Sequence, residues 1–171
     1  MKKIEIYRTK PNPAGKDRVA GFPRASQLLG EWVDLRNVSH QTVNFSGFAL
    51  ANRTFTSRCE VIKQAVIYWN GKSTLALLPG QILRLHTGKT LDYASMNNED
   101  AQGTNLHAYA ESGNFILNNK CGDALSTWWW DSGKKEWRFE DGAYYEPEPG
   151  DGVILVRQGN ILAPSYYSIF S

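Results

Sequence analysis

The chain has 171 residues, enough for one domain with a real core, and its 42% apolar and 21% charged residues exclude a disordered polymer. A net charge of +2 is too small to imply a nucleic-acid partner by itself. No apolar run reaches the roughly 18 residues of a membrane span, and the opening MKKIEIYRTK lacks the apolar stretch of a signal peptide, so the cytoplasm is the default compartment and secretion would require a removed leader.

Ile4 and Ile6 alternate with Glu5 and Tyr7, which predicts a short first strand. Residues 8–29 carry Pro11, Pro13, Gly15, Gly21 and Pro23 and read as a long irregular arm. The arm is basic. Arg8, Lys10, Lys16 and Arg18 could meet phosphates on nucleic acid or lipid headgroups, or the acidic segment of a second copy, where Glu140, Asp141, Glu146 and Glu148 cluster.

Residues 30–50 are the seed of the fold. Val33 and Leu35 face one way and Trp32, Asp34 and Arg36 the other, the period of a half-buried strand. A polar turn leads to Val43 and Phe45. Gly47 then shifts the apolar parity to Phe48 and Leu50, which reads as a bend.

Residues 61–69 are strand-like, and Asn70-Gly71 is a hairpin signal leading into a return run at 74–78. Pro79-Gly80 turns the chain again, and Leu83 and Leu85 point inward from the next strand. Residues 87–113 read as a polar loop around one helical turn at most, and 114–117 as a short strand. Residues 123–130 extend, Asp131-Ser132-Gly133-Lys134 turns, and Trp137 and Phe139 lie on the returning strand. Residues 146–152 break the sheet, and two short apolar runs at 153–156 and 161–162 form a last hairpin. No long segment has helical period. Strands recur about every 8–12 residues, which predicts an all-β antiparallel sandwich. The whole of 1–171 is one domain, with its core at 4–145 and an extension at 146–171.

Catalytic constellations are weak. Gly88-Lys89-Thr90 lacks the earlier glycine and the helix of a phosphate loop, since Leu83 stands where the glycine should. His40, His86 and His107 have no local metal-ligand spacing and read as surface or hydrogen-bonded histidines. Asn97, Asn98, Glu99 and Asp100 lack the alternation of a calcium loop. The sequons at Asn37, Asn44 and Asn52 fall in or beside predicted strands and read as chance. Cys59 and Cys121 make no disulfide framework; free buried thiols are the first reading and a single bridge the alternative. The expectation is therefore no enzyme, no cofactor and no metal.

The most unusual stretch is Trp128-Trp129-Trp130. In a strand Trp128 and Trp130 share one face and Trp129 takes the other. With Trp137 and Phe139 across the hairpin, the run is either core with cross-strand stacking or a platform for sugar rings, bases or a protein partner.

Four stretches in series carry a family resemblance: Gly30-Glu-Trp-Val-Asp-Leu-Arg-Asn37, Val43-Asn-Phe-Ser-Gly-Phe-Ala-Leu50, Leu78-Pro-Gly-Gln-Ile-Leu-Arg-Leu85, and Phe115 to Leu125 with its Asn-Asn and Gly-Asp turns. Together they resemble the bacterial type of the lamin tail domain. The resemblance implies an immunoglobulin-like sandwich and a non-catalytic binding or scaffolding module without shared catalytic residues. It implies protein contacts, with DNA contacts known in the family, and association with secreted or surface hydrolases in bacteria. The binding residues expected are Trp128, Trp130 and Trp137 on the platform, and Arg8, Lys10, Lys16 and Arg18 on the arm. The partners expected are a protein or a second copy, with nucleic acid and carbohydrate as the others considered.

Overall fold

Alternating side chains zip 45% of the chain into strands against 10% helix, and the computed structural model, which describes residues 1–165, is all-β. In chain order the strands are β1 (Ile4–Lys10), β2 (Arg18–Val19), β3 (Phe22–Pro23), β4 (Trp32–Asn37), β5 (Val43–Asn44), β6 (Phe48–Phe55), β7 (Val61–Asn70) and β8 (Ala76–Leu77). Then come β9 (Ile82–His86), β10 (Leu106–Tyr109), β11 (Asp123–Asp131), β12 (Glu136–Tyr145), β13 (Leu155–Gln158) and β14 (Ile161–Pro164). Two short helices, α1 (Ala25–Gly30) and α2 (Asn98–Ala101), and a 3₁₀ turn at Thr90–Ser95 complete the described elements.

Ten strands form one mixed sheet in the order β10-β9-β4-β1-β13-β14-β12-β11-β6-β7. The sheet curls so that both of its halves contribute to one core. Ile6, Leu35 and Leu83 from one half and Phe48, Leu50 and Leu125 from the other share a single buried cluster. Each such side chain contributes about 1.5–3 kcal/mol by leaving water. Phe45, Phe48, Trp69 and Trp129 stack edge-on or tilted, with centroids 5.0–6.0 Å apart, and close one end of that core.

The last hairpin is the corner of the sheet, not an extension outside it. β13 joins β1 through Arg8↔Val156 and Thr9↔Leu155, and β14 runs parallel to β12 at Tyr144↔Ile161. Leu155 and Leu162 are buried in the common core. Asp141 anchors the corner, accepting from both terminal nitrogens of Arg157 at 2.9 Å and from the Ile6 N–H at 2.8 Å.

Five other expectations are corrected. The arm at 8–29 is partly regular: β1 runs to Lys10, β2 and β3 pair, and α1 buries Leu28 and Leu29. Asn70-Gly71 makes no hairpin, because β7 returns on β6 while β8 pairs with β5. Gly71 is there for a close approach. A Cβ at this position would lie 2.1 Å from the Phe45 carbonyl oxygen. The region 87–113 contains β10, which pairs parallel with β9. Residues 114–117 form no strand, because the buried Glu31 carboxylate takes the N–H groups of Ile116 and Leu117 at 3.0 and 3.2 Å in place of a ladder.

The fifth correction concerns the cysteines. Cys59 and Cys121 are bridged, tying the β6–β7 turn to the loop before β11 across 62 residues. Lys120 Nζ donates to the Ser57 carbonyl at 2.6 Å beside the bridge. Val61 to Ala65 of β7 are all exposed, so the bridge holds a ribbon that has little core of its own. Replacing both cysteines by serine is expected to cost roughly 2 kcal/mol. Hydrogen exchange should quicken first at Val61 and Ile62; uniform quickening throughout the core would contradict this placement.

Candidate binding face

The β11–β12 hairpin carries the aromatic run. Its register pairs Trp128 with Phe139 and Trp130 with Trp137, and a bulge on β12 leaves Glu140 as the extra residue. Glu140 is put to use: its carboxylate accepts the Lys3 and Ile4 N–H groups at 3.2 and 3.0 Å. Trp129 turns inward, 5.0 Å from Phe48. Trp128 lies 5.5 Å from Phe139 and Trp130 5.3 Å from Trp137, both edge-to-face, on the outer side. The rings of the run therefore divide between the two faces of the strand. Trp129 is packing, while Trp128, Trp130 and Trp137 share an outward face with Phe139.

That face contains a groove of about 350 Å³. Its floor is small residues, Ala65, Ala124, Ser126 and Gly142, drawn from three strands, β7, β11 and β12. Its rings are Trp128, Phe139 and Tyr144. Phe139 is 59% exposed and lies down over Gly142, where an added Cβ would come within 3.2 Å of the ring. The Trp128 indole is fixed by donating to Ser126 Oγ at 2.8 Å. Polar groups stand at the margins: Arg53, Gln64 and Asn160. An apolar, ring-walled groove with amide and guanidinium donors around it can hold a ligand but offers no nucleophile with a base beside it.

The basic arm does not act as one surface. Lys10 is buried, and its ammonium pairs with Asp100 and lies 3.5 Å from Glu99. Arg8 donates to Asp34 at 2.9 Å and to the Gly103 carbonyl at 2.8 Å. Lys10 is thus an internal counter-ion, and Arg8 is half-buried and already paired. Lys16 and Arg18 alone of the four stay exposed, and Arg18 donates to the Gly21 carbonyl at 3.2 Å. Asp100 is spoken for as well, accepting from Trp32 Nε1 at 2.9 Å.

A larger cleft, about 620 Å³, lies between the N-terminal residues and the 39–46 loop. Its cations are engaged: Lys2 pairs with Asp141 at 2.8 Å and Lys3 sits 5.5 Å over the Trp129 ring. Its volume exceeds that of the outer groove, but it offers no stacked ring platform.

The structure brings His86 and His107 together. His86 Nε2 lies 2.7 Å from His107 Nδ1, and the row ends on two carbonyls, Leu29 at 2.6 Å and Ala101 at 3.2 Å. Tyr109 stacks on His86 at 5.2 Å. Three contacts in that row need three protons, and two neutral rings own two. Burial pulls His86 down to about 4 and His107 below its ordinary value, so the pair is neutral at pH 7. Glu31, the other buried acid unseen in the sequence, is raised to about 7, chiefly by burial. Neither reaches the groove.

Local turn chemistry makes the Trp–Phe pairs readable. Arg53, Gln64, Tyr144 and Asn160 join them only through the β6–β7, β11–β6 and β12–β14 pairings. No short-range signal specifies those. No protein-family model matches the chain, and no curated protein is significantly similar to it.

Proposed function

We propose that this protein is a non-catalytic binding module, lamin-tail-like and immunoglobulin-like in its strand plan, that holds a partner on the outer face of β6, β7, β11 and β12. One observation carries the reading: Phe139 lies exposed over Gly142 with the half-buried Trp128 set edge-on beside it, lining a groove. An aromatic surface left in water is a cost that a partner would relieve. The four stretches resembling the lamin tail domain supply strands and turns, and they support the module part of the reading rather than the groove. The Cys59–Cys121 bridge supports an oxidising compartment, as for a secreted or surface protein. The alternative, nucleic-acid binding by the arm, is weakened by the internal use of Arg8 and Lys10.

Indole and ring resonances, followed while oligosaccharides, single-stranded oligonucleotides and peptides are added, test it. A binding ligand should shift Trp128, Trp137 and Phe139 and leave unchanged chemically. Phe139→Ala should weaken binding at least about tenfold, a change of about 1.4 kcal/mol, with the melting temperature nearly unmoved, because the ring is mostly exposed. Shifts gathered at Lys16 and Arg18 instead would overturn the reading.

A further inference from the structure

The charge of the groove narrows its ligand. Among the described residues, Arg53 is the one charged residue lining it, and no carboxylate does. Arg8, Arg36, Arg84, Arg138 and Arg157, on the same sheet, each pair with a carboxylate. Arg53 has no such partner among the described residues, and its Nε is buried without a hydrogen bond there. The side chain is placed beside Gln64 and Ala65 on one side and Ala124 on the other, at the opposite end of the floor from the Phe139 ring.

A ligand that satisfies this lining needs three things. It needs an apolar ring face to lie on Phe139 beside the edge-on Trp128. It needs hydroxyls for the amides of Gln64 and Asn160 and for the Ser126 hydroxyl, whose oxygen already takes the Trp128 N–H and whose proton is free to donate. It needs one anionic, planar, two-oxygen group for a guanidinium fork. A pyranose supplies the first two, and a pyranose with a carboxylate supplies all three. A nucleic-acid strand fits less well, since it brings a phosphate at every nucleotide to a groove with one cation.

Resting on the reading of this face as the binding site, we propose that the groove binds an acidic polysaccharide of uronate units. The sugar ring stacks on Phe139 with Trp128 standing edge-on beside it, and the carboxylate pairs with Arg53.

The test uses the full chain with hexagalacturonate, hexamannuronate and hexaguluronate, and with the methyl ester of whichever binds. Esterification keeps the ring and its hydroxyls and removes the charge. At least one acid should bind with shifts at Trp128 and Phe139, and its ester should bind at least tenfold more weakly. Arg53→Gln should lower affinity for the acid to that for the ester and leave ester binding unchanged. Arg53→Lys, keeping charge without the fork, should fall between. Gly142→Val, which props up the Phe139 ring, should weaken acid and ester alike. Equal affinity for acid and ester, or indifference to Arg53→Gln, overturns the acidic ligand and leaves the groove as a site for neutral sugar. Failure of all three acids while a peptide or oligonucleotide moves the groove resonances overturns the sugar and keeps the site. If nothing moves them, both readings fall.

Discussion

Asp34→Ala is expected to destabilise the protein by about 3–5 kcal/mol, the cost of leaving a buried charge without its partner. Asp34 is fully buried, and Arg84 is 2% exposed. The two make a fork, Arg84 Nε to Oδ1 at 2.8 Å and Nη2 to Oδ2 at 2.9 Å. Arg84 Nη1 donates to the carbonyls of Asp100 and Gln102 at 3.1 and 2.7 Å, and the guanidinium lies 3.6 Å from the Trp32 ring centroid. Removing the carboxylate strands that cation between β4 and β9. Arg8, which shares the carboxylate, is 22% exposed and can rehydrate. The double variant Asp34→Ala/Arg84→Met should therefore regain about 2 kcal/mol or more, because an apolar pair of similar bulk carries no desolvated charge. Urea unfolding of the three chains measures it. A loss under about 1 kcal/mol for the single variant would mean water reaches the pair after all.

Glu31→Gln should uncover a pH dependence that the parent protein hides. The buried Glu31 carboxyl is raised from 4.5 to about 7 by burial, against the donors from Thr87, Ile116 and Leu117. Its folded value exceeds its unfolded one. Its contribution is therefore complete below about pH 4.5 and lost as pH rises through 7, about 3 kcal/mol in all at 1.36 per unit. His86 runs the other way. Burial lowers it from 6.5 to about 4, so its contribution is complete above pH 6.5 and lost as pH falls through 4. The two slopes are similar in size and opposite in sign over one window, and they nearly cancel. With glutamine at 31 the opposing Glu31 slope is gone, and stability should climb by about 3 kcal/mol more from pH 4 to 7 than in the parent. Urea midpoints at pH 4, 5.5 and 7 decide the matter. Parallel curves for the two chains would show that Glu31 does not titrate in this range.

The strands were legible because apolar side chains alternate with polar ones. Ile4 and Ile6, Val33 and Leu35, and Leu83 and Leu85 share one core cluster, while the other face of β4 and β9 buries polar groups such as Asp34 and Arg84. The bend at Gly47 was legible too, and its φ of +76° shows why glycine stands there. Residues 146–164 were misjudged because β13 and β14 are short, and their place between β1 and β12 depends on partners more than a hundred residues away for β13. The strand expected at 114–117 failed for a different reason. Apolar Ile116 and Leu117 look like sheet, but a carboxylate from 85 residues away has taken their donors. At the candidate face, the ring pairs follow from the turn at Asp131. Arg53 and Gln64 do not, since a register shift on β7 sets which of their side chains reaches the outer side.

β7 has one neighbour, β6, and ends the sheet with a row of backbone groups turned to water. Val61 and Ile62 stand beside it in the open, with Lys63 the strand's one charge. Gln64 and Ala65, from the same strand, line the groove. Any chain that hydrogen-bonds along this border becomes the next wall of the groove. Occupancy of the border and the shape of the ligand bed are thus tied through a single strand, and lengthening one extends the other.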